Sequence, residues 1–215
     1  MRQFILIILV SISWASAAFA EVDHTDPELT RAYQQYLAAI EGDNGAVDDA
    51  VEAFEALLVT HPGDPLILVL LGGSQTLQGR DAWMPWNKMS LTEDGLAAMG
   101  TAQQWLGPEH DEQVFYGLPV SVQVKALAGI TFTQVPDFFG RFEQGYQLLL
   151  DVSQSPLLDE VPAQNHSHIH FYAARAARQA DEPERQTMLL KRLADLPVDN
   201  DYTAAARDAL AAAGE

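Results

Sequence analysis

Apolar residues recur at helical spacing along most of this chain. In residues 46–58 they fall at i, i+3, i+4 and i+7, with acidic residues between them, which predicts an amphipathic helix. Residues 26–40 keep the same rhythm, and Asp26-Pro27 is typical of a helix start. The Gly-Asp-Asn-Gly sequence at 42–45 predicts a tight turn. These two helices should therefore form an antiparallel hairpin.

The pattern continues into further helical pairs. The predicted helices cover residues 64–79, a return helix from about Leu91, then 120–133, 138–152, 163–180, 184–196 and 201–213. Gly79 is interpreted as a turn, and His110-Asp111-Glu112 as the start of a helix. Gly72-Gly73 inside a helix predicts close backbone contact with a neighbouring helix. No segment has the alternation of a strand, so the predicted fold is all-α.

Small, turn and aromatic residues of the first hairpin stand at informative positions: Ala38, Gly45, Ala50, Phe54 and Pro62. A further Leu-Gly pair, Leu71-Gly72, follows Leu37-Ala38 one repeat length later. This spacing resembles the tetratricopeptide repeat (TPR). The resemblance implies antiparallel helical hairpins stacked as a TPR-like α-solenoid, in one domain from residue 21 to residue 215.

The stretch GRDAWMPWNKM, residues 79–89, interrupts the regular pattern and is interpreted as an insertion of about ten residues. With the following LTEDGLAAM, it resembles a segment of TPR-like proteins exported by Gram-negative bacteria. Two interpretations remain open. Trp83 and Trp86 could fold over the hairpin as a lid, with Arg80 and Asp81 paired and Lys88 in solvent. Alternatively, both indoles could form a contact surface where Arg80 and Lys88 meet an acidic partner.

The first twenty residues are typical of a secretory signal peptide. Arg2 precedes an apolar run that begins at Phe4, and the segment ends in the small-residue sequence Ala18-Phe19-Ala20. Cleavage after Ala20 is predicted, which would place the mature chain in the periplasm or outside the cell. The sequence contains no cysteine, so neither a disulfide nor a thioether-linked lipid anchor is available.

The formal charge excludes several classes of partner. The chain has 12 Lys and Arg against 30 Asp and Glu, a net charge of −18, and removal of the signal segment takes away one more base. Such a surface repels nucleic acid phosphates and anionic lipids. We therefore expect neither nucleic acid binding nor direct membrane binding after signal cleavage. A protein or peptide partner is expected instead.

Three histidines stand at alternate positions in the sequence HSHIH. On a helix, His166 and His170 share one face beside the alanine stripe and could bind a transition metal, whereas His168 points away. The alternative is that they are surface histidines that titrate near pH 6.5. A small-ligand or metal-binding protein using His166 and His170 is the second functional hypothesis.

No catalytic motif stands out. The sequence contains no nucleophile elbow, phosphate loop, zinc-protease pair or dinucleotide fingerprint. The prediction is a non-enzymatic scaffold without a cofactor, which binds its partner through Arg80, Trp83, Trp86, Lys88 and Phe139. Phe139 is included because Phe138 and Phe139 are neighbours that must diverge, one inward and one outward. An exposed Phe139 could join the tryptophans in one patch.

Overall fold

A computed structural model describes residues 26–213 of the chain, so the predicted signal segment and its cleavage site lie outside the described residues. Within this range the fold is all-α, as predicted, and contains nine α-helices. The helices are α1 (Pro27–Glu41), α2 (Asn44–Thr60), α3 (Pro65–Asp81), α4 (Pro85–Gln104), α5 (Val120–Gln134), α6 (Phe142–Ser153), α7 (Ala163–Gln179), α8 (Pro183–Ala194) and α9 (Asp201–Ala213).

Local sequence explains the first hairpin. Asp26 and Asp43 cap the amino ends of α1 and α2 by accepting backbone N–H hydrogen bonds, and Asp64 caps α3 in the same way. Gly42 ends α1 with φ 106°, a left-handed conformation that favours glycine. These signals confirm the predicted start and turn of the first hairpin.

The helices pack in two ways. Neighbours in sequence contact one another within each hairpin, and α3 and α4 form the most extensive of these contacts. The odd-numbered helices also contact each other in order: α1 with α3, α3 with α5, α5 with α7, and α7 with α9. Contacts therefore run both between neighbours in sequence and between every second helix.

The apolar core has a larger part among α1–α5, a second part among α6–α9 and a smaller third part where α5, α6 and α7 meet. Phe54 and Leu70 are fully buried in the first, and Leu149 and Leu193 in the second. Ile40, the last apolar residue in the helical rhythm of residues 26–40, is 48% exposed at the end of α1.

Glycines allow α3 and α4 to approach closely. A Cβ atom at Gly72 would lie 2.6 Å from the carbonyl oxygen of Gly95, and one at Gly73 would lie 2.9 Å from the Tyr36 hydroxyl oxygen. This confirms the predicted close backbone contact at Gly72, whereas Gly73 faces a side chain of α1. Gly129 and Gly145 form a similar crossing between α5 and α6.

The structure corrects the predicted connection between α3 and α4. The return helix begins at Pro85 rather than near Leu91, so only residues 82–84 link the two helices. Gly79 is not a turn residue, because it lies buried inside α3 against Thr92. The supposed insertion therefore lengthens α3 and α4.

Two further segments differ from the prediction. Residues 108–111 form a short 3-10 turn instead of starting an α-helix, and they lead into a small antiparallel hairpin of β1 (Val114–Phe115) and β2 (Leu118–Pro119). The helix expected from Phe138 begins at Phe142, after a 3-10 turn at Asp137–Phe139. The pairs α5–α6 and α7–α8 and the terminal α9 are otherwise confirmed.

Candidate functional site

The corner between α3 and α4 is an ordered, extended link. Ala82 and Met84 have ψ angles of 138° and 130°, and Pro85 occupies the first position of α4. Proline disfavours a helical conformation at the preceding residue, which explains why Met84 is extended and why α3 cannot continue into α4. Trp83 is therefore held in the link, whereas Trp86 lies in the first turn of α4.

Both tryptophans of this corner face solvent. Trp83 is 86% exposed and Trp86 is 67% exposed, and Met89, one turn further along α4, is 47% exposed. The lid interpretation, in which the indoles cover the hairpin, is therefore wrong. Exposure of two large aromatic side chains beside a methionine creates an apolar surface of the type that marks interaction sites.

The charged residues of the corner are engaged within the protein. Arg80 donates from Nε to Oδ1 of Asp81 over 2.6 Å and from Nη2 to the backbone oxygen of Ala39 over 3.2 Å. The hydrogen bond from Arg80 lowers the pKa of Asp81 below its ordinary value. The pairing of Arg80 with Asp81 is confirmed, and Arg80 also connects the ends of α1 and α3.

Lys88 is exposed, as predicted, but its amine is not free in solvent. Nζ donates to the backbone oxygen of Arg80 over 2.6 Å, at the carboxyl end of α3, where a cation is favoured by the helix dipole. Lys88 thus ties the second turn of α4 back to α3. Arg80 and Lys88, the two cations predicted to contact a partner, thus stabilise the corner that carries the tryptophans.

The two phenylalanines of the α5–α6 connection diverge, as predicted, but Phe138 rather than Phe139 points outward. Phe138 is 69% exposed, whereas Phe139 is partly buried against the first core. Their ring centroids lie 4.4 Å apart. Phe138 is therefore the exposed aromatic residue of this connection, and a partner contact by Phe139 stays a prediction.

Fluorescence quenching tests the exposure of the tryptophan corner. We expect Trp83→Phe to remove a larger share of the acrylamide-quenchable emission than Trp105→Phe, because Trp105 is only 41% exposed. Steady-state quenching of each variant measures the difference. An equal loss of quenchable emission in both variants would contradict the solvent exposure of Trp83.

His166 and His170 of α7 are buried, which contradicts the interpretation that they are surface histidines. His166 is 5% and His170 1% exposed, and Nδ1 of His166 lies 3.2 Å from Nε2 of His170. Burial lowers the pKa of all three histidines, to about 4 for His168 and for His170. The pKa values of His168 and His170 therefore lie well below the pH of 6.5 expected for surface histidines.

The imidazole pair offers two nitrogen donors to a metal ion. Nδ1 of His170 is buried and has no hydrogen-bond partner. In the part of the chain that the structure describes, no group of three or more His, Cys, Asp or Glu residues is arranged to hold a metal ion. A metal bound by His166 and His170 stays a prediction, which zinc calorimetry on wild type and His166→Ala/His170→Ala tests.

Comparison with protein-family models, with curated proteins and with solved structures gives no match for this chain. Among the helices at 26–213, none is long and apolar enough to cross a membrane. The functional inference therefore starts from the α3–α4 corner itself. Sequence reasoning located this corner through Trp83 and Trp86, but it missed the exposed Met89, whose position follows only once α4 is known to begin at Pro85.

Proposed function

We propose that this chain is a non-enzymatic, TPR-like scaffold, exported to the periplasm or secreted, that binds a peptide or partner protein at the α3–α4 corner. The observation that carries the proposal is the exposure of Trp83 (86%) and Trp86 (67%) at an ordered corner. Tryptophan is the residue type most enriched among those that dominate the energy of protein interfaces. Contact between every second helix supports a stacked-hairpin scaffold.

The corner is suited to binding because its backbone is already fixed. Arg80 connects α3 to α1, Lys88 connects α4 to α3, and Pro85 restricts the link. A partner that covers Trp83 and Trp86 would therefore order little additional backbone, which reduces the entropic cost of association. Their burial would supply the apolar contact area.

Capture from the native envelope fraction tests the proposal. We expect immobilised wild-type protein to retain a partner that Trp83→Ala/Trp86→Ala no longer retains, identified by mass spectrometry. Helical circular dichroism should persist in the double variant, because substitution of exposed residues changes stability by no more than about 0.5 kcal/mol in most cases.

Trp105→Ala provides the matched control. It removes a third tryptophan just beyond α4, at the end opposite to the corner, and it should retain the partner. Two results would refute the proposal. In one, the folded double variant retains every protein that the wild type retains. In the other, the double variant loses its helical signal, which would make the tryptophans structural.

A further inference from the structure

A separate cleft lies between the first turns of α5 and the end of α6. Its volume is about 360 Å³, which is within the range of small-molecule sites in proteins. Val122, Val152 and Leu157 form its apolar part, and Ser121, Lys125 and Asp151 contribute polar groups. None of these residues belongs to the tryptophan corner. The cleft therefore combines an apolar wall with a few polar groups, as ligand sites do.

Opposite charges face this cleft without neutralising each other. Lys125 is half-buried on α5, and Asp151 is exposed on α6. Within residues 26–213, neither side chain forms an ion pair or a side-chain hydrogen bond, although several other charged residues of the chain do so. Both charges are thus available to a ligand, and a ligand with two opposite charges would satisfy both.

Ser121 contributes a hydroxyl group to the cleft, one helical turn before Lys125. The residue is only 4% exposed, lines the cleft, and makes no side-chain hydrogen bond to any described group. Its hydroxyl oxygen faces the cleft and can bond to a ligand there. Ser121 also stands in the first turn of α5, where no described side chain caps the helix. The positive end of the helix favours an anion there.

We propose that the cleft binds a small zwitterion that carries an ammonium and a carboxylate group, the chemistry of a free amino acid. The carboxylate is received by Ser121 and Lys125, and the ammonium group by Asp151. The ligand side chain contacts Val122, Val152 and Leu157. This inference does not depend on the function proposed for the tryptophan corner, since it uses other helices and other residues.

The end of a peptide is an alternative ligand, because it carries either the ammonium or the carboxylate group, although not both. Calorimetry with dialysed full chain separates the sources. Free amino acids are titrated singly, and the tightest is compared with its N-acetyl and carboxamide derivatives. We expect saturable binding of the free amino acid and about tenfold or greater loss for each derivative, the size expected for a lost charge-assisted contact.

The cleft residues are tested by Lys125→Gln and Asp151→Asn, which leave the internal contacts of the protein intact. Each should weaken binding of the same amino acid about tenfold or more. Lys191→Gln, an exposed lysine on α8, should bind as the wild type does, and so should Trp83→Ala/Trp86→Ala. No saturable binding at millimolar concentrations, undiminished binding of a derivative, or unchanged affinity in Lys125→Gln or Asp151→Asn would each overturn the proposal.

Discussion

We expect the free energy of unfolding to decrease as the pH falls from about 6.5 towards 4, because the buried histidines of α7 must gain protons. Burial is the largest cause that lowers the pKa of His170 to about 4, and the charges of His166, Arg192 and His168 act in the same direction. Burial, together with His166, also lowers the pKa of His168 to about 4. The ordinary histidine value is 6.5.

The sign of this effect follows from proton uptake. Between pH 6.5 and 4 the unfolded chain binds protons at these histidines and the folded chain does not, so acid favours unfolding. The contribution is complete above pH 6.5 and is lost as the pH approaches 4. For His170, which is 1% exposed, a lowering from 6.5 to about 4 corresponds to about 3 kcal/mol.

Chemical denaturation at pH 7.5 and at pH 4.5 measures this loss. We expect His168→Gln/His170→Gln to reduce the difference between the two pH values, because glutamine does not titrate. Any cost of the substitution itself is present at both pH values and cancels in the difference. Tyr202 of α9 and Arg192 of α8, which also face the cluster, stay in place.

His61→Gln serves as the control, since His61 lies between α2 and α3, away from α7. This variant loses one histidine and should keep the pH dependence of the wild type. The interpretation fails if His168→Gln/His170→Gln loses as much stability between pH 7.5 and 4.5 as the wild type does. It also fails if His61→Gln removes the same share of that loss.

Local signals predicted the first hairpin because its boundaries are set by neighbouring residues. Asp43 and Asp64 cap helices through their own side chains, and Gly42 takes up a conformation that few other residues adopt. Such interactions span only a few residues. They can therefore be read from the sequence without knowledge of the packing.

The start of α4 could not be predicted in this way. Its first turns, Pro85 to Ser90, are exposed and so have no buried face that would continue the apolar pattern of the core. The later residues Gly95 and Met99 pack on α3 and anchor the helix, which then extends back to Pro85. Tertiary contact thus decides a boundary that periodicity placed near Leu91.

Histidine burial likewise depends on other helices. Helical spacing correctly placed His166 and His170 on one face, but their depth follows from the packing of neighbouring helices on α7. The divergence of Phe138 and Phe139 was also predicted, whereas the choice between them was not. It depends on a 3-10 turn that ends at Gly140, with φ 64°.

We expect Gly72→Ala to destabilise the protein, although alanine favours a helix over glycine by about 1 kcal/mol. The added Cβ would lie 2.6 Å from the Gly95 carbonyl oxygen and 2.9 Å from Cγ of Met99. The carbonyl belongs to the backbone of α4 and cannot rotate away, so α3 and α4 must separate. Overpacking of this kind costs about 1–3 kcal/mol or more, which outweighs the gain in helix propensity.

Gly100→Ala tests the same substitution where space is open. Gly100 also lies inside a helix, α4, but a Cβ there would meet no atom within 4 Å. It should stabilise the protein by up to about 1 kcal/mol, because only the propensity difference remains. Urea denaturation of both variants gives the comparison. Stabilisation by Gly72→Ala equal to that by Gly100→Ala would show that α3 and α4 are not held together by close backbone contact at Gly72 and Gly95.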